Sequence, residues 1–142
     1  MMYTRVISMC LTVACFGTFA TSAAAQIIPT GSPAADIALT TALADQRVFL
    51  TCTALDPPLH QQALDLWQQD VAAATAVLTD RGVPSAAIQA FTAAAKPDTL
   101  ALPPDTPFVA VRDYCAAQEN WSDRWSRRDF TELATALPKA LP

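Results

Sequence analysis

Between Pro57 and Arg81 the residues His60, Leu64, Trp67, Val71, Ala74 and Leu78 recur at alternating spacings of four and three. That is the period of one helix face, and it excludes the two-residue alternation of a half-buried strand. Leu59, Ala63, Leu66 and Val77 widen the apolar stripe. Gln61, Gln62, Asp65, Gln68 and Gln69 fill the opposite face. Asp56-Pro57-Pro58 offers an N-cap followed by prolines in the opening turn, where a missing N–H costs nothing. Arg81-Gly82 supplies a cation in the last turn and a residue free to adopt the left-handed cap. The pattern predicts a helix over residues 57–81.

The remaining prolines cut the rest of the chain into pieces of the same kind. Ser32-Pro33 predicts a helix that runs to about Leu55, with Leu39, Leu43 and Leu50 on one face and Phe49 and Cys52 beside it. Its end, Arg47 to Thr53, is also rich in β-branched and aromatic residues, but no turn signal separates it from what precedes. A shorter helix is expected over 84–96, with Ile88 and Phe91 inward and Pro97 as its stop. Asp98 to Pro107 is expected as a stiff proline-rich loop. Thr106-Pro107 starts a further helix carrying Phe108, Val111 and Cys115, with Tyr114 flanking. Continuation through Trp121 and Trp125 and a break near Asn120 to Ser122 are both open. A last helix over 129–137 carries Phe130, Leu133 and Leu137, with Asp129 and Glu132 spaced as a capping box and Pro138 as its end. The fold expected is all-α: a small antiparallel helical bundle of four to five helices with one disulfide, in a single domain over residues 33–142. No strand–helix alternation and no repeat of fixed period is present.

Residues 1–25 carry the marks of a secretory signal peptide. Arg5 precedes an uncharged apolar run from Val6 to Ala20, and Ala23 and Ala25 stand in the A-x-A positions before Gln26. The run is shorter than the roughly 20 residues that cross a bilayer. A lipid anchor on Cys15 and a retained membrane tether are the competing readings; neither suits the length and placement of the run. Cleavage after Ala25 would take 25 of 142 residues, leaving 117, and losing Arg5 moves the formal charge from −4 to −5. Residues 26–32 would remain as an extended leader. Of four cysteines, Cys10 and Cys15 go with the leader, so Cys52 and Cys115 have one connectivity. In an oxidising compartment such a pair becomes a disulfide. In a core padded with alanine, about a fifth of the chain, a crosslink contributes where buried area is modest.

Motifs for chemistry are sparse. His60 is the single histidine, set in the first turn of its helix, and no C-x-x-C is present, so no metal is expected. An enzyme would have to assemble a site around His60, with Asp56 or Ser85 as candidate companions. G-x-S-x-G, H-E-x-x-H, the P-loop, the dinucleotide fingerprint and C-x-x-C-H are all missing, and no cofactor is expected. Asp65 and Asp70, five apart on one helix, point in different directions and read as solvated surface acids, as do Asp98, Asp105, Asp123 and Asp129. The acidic balance argues against nucleic-acid binding.

The most unusual composition lies at Asn120 to Phe130 (NWSDRWSRRDF), with two of three Trp and three of nine basic residues. Trp121 and Trp125, and Arg124 and Arg128, fall four apart, and Asp123 to Arg127 has the favourable ion-pair order. The segment reads either as core closure with arginines laid over it, or as a contact surface of Trp121, Arg124, Trp125 and Arg128, joined by Leu102 to Pro104. Asn120-Trp121-Ser122 is formally a glycosylation acceptor, relevant only in a eukaryotic secretory route. The function expected is a small exported, periplasmic, non-enzymatic binding or accessory module with a protein partner, and no stable membrane insertion after cleavage.

Overall fold

In the computed structural model, which describes residues 28–129 and 131–142, prolines stand in or next to the first turn of five of seven helices. These are α1 (Pro33–Thr53), α2 (Pro57–Asp80), α3 (Ser85–Ala94), α4 (Pro97–Leu100), α5 (Phe108–Ala116), α6 (Trp121–Ser126) and α7 (Glu132–Ala140). No strand occurs among the described residues. The leader at residues 1–25 and Phe130 lie outside the described residues.

The all-α bundle is present, with more helices than the four or five expected, and each extra piece has a local cause. Pro97 ends α3 and also opens α4, because its fixed φ suits a first helical position. Burial of Leu100 and the bond from Ala101 N to Pro97 O (2.9 Å) close that single turn inside what reads as loop. Asn120 adopts φ 51°, a left-handed conformation that asparagine tolerates, and this breaks α5 from α6. The capping box at Asp129 and Glu132 does not form. Asp129 Oδ1 instead accepts from Thr131 N (2.9 Å) and Thr131 Oγ1 (2.8 Å), and α7 begins at Glu132. Pro138 does not end α7, which runs on to Ala140. The ring forfeits one backbone bond. Burial of Leu137 and Leu141, and a bond from Ser32 Oγ to Ala140 O, hold the last turn in place.

α1, α2 and α7 pack on one another, with α3 and α4 at one side and α5 and α6 laid on α1. The three-residue join of Ala54 to Asp56 turns α2 back along α1. Asp56 caps α2 through Leu59 N (3.2 Å), as its sequence position predicts. Ser32 reaching Ala140 sets α7 antiparallel to α1, while Arg81 Nη1 bonding Pro142 O (3.3 Å) brings the C-terminal ends of α2 and α7 together. Leu39, Leu50, Trp67, Leu78, Phe91 and Leu137 are fully buried in the shared core. Trp67 Nε1 donates to Ala95 O (2.7 Å), so the largest core side chain also pins the end of α3.

A second cluster surrounds the disulfide. Cys52 on α1 and Cys115 on α5 are bonded, with Cα atoms 5.6 Å apart, and Val48, Val111, Tyr114 and Trp121 pack around them. The crosslink ties the end of α1 to the helix beyond the proline-rich stretch, as the lone pairing predicts. No helix among the described residues is long and apolar enough to cross a membrane.

Candidate cleft between helices α1, α6 and α7

Beside the buried threonines Thr51 and Thr53 at the end of α1, an amide and a carboxylate interrupt the buried stripes of the long helices. On α1, Gln46 stands three after Leu43 and four before Leu50, and is 1% exposed. On α2, Asp70 stands three after Trp67 and four before Ala74, and is fully buried. The reading of Asp70 as a solvated surface acid is therefore corrected: its register on the Trp67–Ala74–Leu78 face carries it into the core. A carboxylate so placed requires a partner.

The partner comes from the far end of the chain. Just beyond α6, Arg128 extends inward, its side chain 7% exposed. Its Nη1 donates to Gln46 Oε1 (2.6 Å) and its Nη2 to Asp70 Oδ2 (3.2 Å). The guanidinium also lies 5.3 Å from the Phe49 ring centre and 5.6 Å from that of Trp67. Arg128 thus joins α1, α2 and the approach to α7 with one fork, the planar geometry that suits arginine and not lysine. Burial, the largest influence, holds the Asp70 carboxyl above its ordinary range; Arg128 opposes this by charge and hydrogen bond, and Glu132 and Asp129 push with burial.

Above this floor is a cleft of about 450 Å³. Ala38, Ala42, Phe49, Leu133 and Ala136 form its apolar wall. Asp70 and Arg128 lie at its base, and Thr41, Asp45, Arg124, Arg127 and Glu132 complete its lining. Arg124 donates to Asp45 and sits 5.7 Å from the Phe49 ring centre. Arg127 is 76% exposed and lies 4.0 Å from Asp123, the helical pair expected from their spacing. In this lining the acceptor Asp70 Oδ1 and the donor Arg124 Nε are buried without a hydrogen-bond partner. A volume of this size, mostly apolar walls and a few converging polar groups are the usual makings of a small-molecule seat.

The side chains of the Trp/Arg segment take different places in the fold. Trp125 packs on the main core, its ring centre 5.4 Å from that of Phe49, and Trp121 is half-buried against the disulfide cluster. Arg128 points into the molecule, so it is corrected from the proposed outward surface to the cleft floor. Arg124 alone of the four stands at the mouth of the cleft, 40% exposed. Of the flanking loop, Leu102 is half-buried and Pro103 and Pro104 are exposed. Asp45, Asp70 and Gln46 were absent from the sequence-derived site.

His60 is engaged elsewhere. Thr53 Oγ1 donates to Phe49 O (2.7 Å) and so accepts from His60 Nδ1 (3.1 Å), which clips the start of α2 to the end of α1. Asp56, its nearest candidate companion, serves as the α2 cap. No group of three or more His, Cys, Asp or Glu suited to a metal occurs among the described residues. Comparison of the chain with protein families, with curated proteins and with solved structures finds no match.

Proposed function

We propose that this is a small exported binding protein, acting in the bacterial periplasm without catalysis of its own, which seats a small ligand in the cleft between α1, α6 and α7. The observation that carries the reading is the base of that cleft. A fully buried carboxylate is kept in the core with one oxygen bound by Arg128 and the other left without a partner. Leaving a buried acceptor unsatisfied costs about 1–3 kcal/mol, which a donor on a bound ligand recovers. Export is supported by the leader pattern at residues 1–25 and by the Cys52–Cys115 crosslink, which belongs in an oxidising compartment. In this reading Arg124 and Arg127 at the mouth are also where a protein partner would sense occupancy of the cleft.

Two measurements test it. Mass spectrometry of protein recovered from the periplasm is expected to give an N-terminus at Gln26, and an intact leader contradicts export. A screen of small metabolites against ¹⁵N-labelled exported protein is expected to yield at least one compound whose amide shifts map to α1, α6 and α7. Ala42→Trp, which fills the wall, is expected to abolish those shifts. A screen with no saturable hit, or hits that survive Ala42→Trp, overturns the cleft as a ligand seat.

A further inference from the structure

We infer that the ligand class seated by the cleft is the zwitterionic apolar α-amino acid, with its ammonium on Asp70 Oδ1 and its carboxylate toward Arg124 and Arg127. This rests on the cleft being a ligand seat and adds the chemistry of the occupant. The base of the cleft presents an acceptor that lacks a donor, Asp70 Oδ1. Toward its mouth the groups are opposite: Arg124, whose buried Nε lacks a partner, and Arg127, which is largely exposed, its Nε bonded to Asp123 O (3.2 Å) and its Nη2 4.0 Å from the Asp123 carboxylate. A ligand that satisfies both ends must carry a donor at its inner end and an anionic acceptor at its outer end.

Charge leads to the same class. Asp45, Asp70 and Glu132 face Arg124, Arg127 and Arg128 around the lining, three charges of each sign. A balanced lining gains nothing from a ligand of net charge, but it stabilises a separated pair of charges set along its own gradient. A free anion finds Asp70 and Asp45 in its way, and a free cation finds the arginines. The apolar wall of Ala38, Ala42, Phe49, Leu133 and Ala136 leaves room beside the two heads for an aliphatic or aromatic side chain. Phe49 is already flanked by the guanidinium groups of Arg124 and Arg128, which favours an apolar and not a cationic side chain against it.

The experiment is calorimetric titration of the exported protein with L-leucine, L-phenylalanine, leucinamide (ammonium without carboxylate) and 4-methylpentanoate (carboxylate without ammonium). At least one of the two amino acids is expected to bind tenfold or more tightly than either half-probe. Arg127→Ala, on the surface and outside the core, is expected to weaken the amino acid at least threefold and leave leucinamide unchanged. Asp70→Asn is expected to weaken the amino acid tenfold or more; Arg127→Ala carries the test should Asp70→Asn fail to fold. Equal binding of a half-probe and the amino acid overturns the zwitterion while leaving the cleft as a seat. Absence of binding by all four probes, with another metabolite still shifting the cleft amides, also overturns the amino-acid class alone. Absence of every ligand overturns both readings.

Discussion

At the scale of single residues, a buried charge of raised proton affinity governs the pH response. Folded Asp70 holds its proton more tightly than the unfolded chain does, because burial outweighs Arg128. The folded state therefore binds more protons over the window that opens near pH 4 and extends up through the raised value. There, stability falls as pH rises. Asp129 works in the opposite sense: its two bonds from Thr131 lower its proton affinity and stabilise the fold above about pH 4, an effect lost as pH falls. Urea unfolding from pH 3.5 to 7 is expected to show Asp70→Asn gaining on the parent protein as pH rises; the reverse trend contradicts the assignment. Arg128→Met is expected to cost about 3–5 kcal/mol near neutral pH, since it leaves a buried carboxylate uncompensated, and less in acid, where Asp70 takes a proton. The buried amide and carboxylate are legible in principle. Gln46 and Asp70 each occupy a three-and-four position on an apolar stripe, and a polar side chain there signals a buried network. Classing residues by type and not by register obscured them. Arg128 as the partner was not legible, because it lies 58 residues from Asp70 and 82 from Gln46, and only packing of the ends brings them together.

At the scale of elements, period and proline carry most of the information. The start of α2 follows from its Asp56 cap and that of α1 from Pro33, since Ser32 Oγ bonds Ala140 O and does not cap the helix, and Trp67, the centre of the α2 face, is 2% exposed. Trp67→Ala is expected to cost about 3–5 kcal/mol in denaturant unfolding; a loss under about 1 kcal/mol contradicts the burial. Gly82 follows α2 at φ +68°, with open space where a Cβ would stand. Gly82→Ala is therefore expected to cost about 1–2 kcal/mol through backbone conformation alone, with no clash added. The elements that local signals misplace are the short ones. α4 exists because Leu100 is buried, α6 is separate because of one left-handed asparagine, and α7 passes Pro138 because tertiary contacts hold its last turn. Each case turns on contacts between segments, which local propensity does not contain.

At the scale of the whole molecule, two fastenings hold the outer helices to the α1–α2 pair. The Cys52–Cys115 bond, across a separation of 63 residues, restricts the unfolded chain and contributes about 4 kcal/mol on the loop-entropy model. Melting in the presence of dithiothreitol is expected several degrees below that of the oxidised protein, and an unchanged midpoint removes the crosslink from the account. The other fastening is Arg128, which draws the end of α6 and the start of α7 onto Gln46 and Asp70 and so forms the floor of the cleft. A double-mutant cycle with Asp70→Asn and Arg128→Met, read by equilibrium unfolding near neutral pH, measures that fastening directly. The two changes are expected to be non-additive by 1 kcal/mol or more, as for groups in one buried network. Additivity within about 0.5 kcal/mol would mean that the two side chains do not meet, and that the cleft has no such floor.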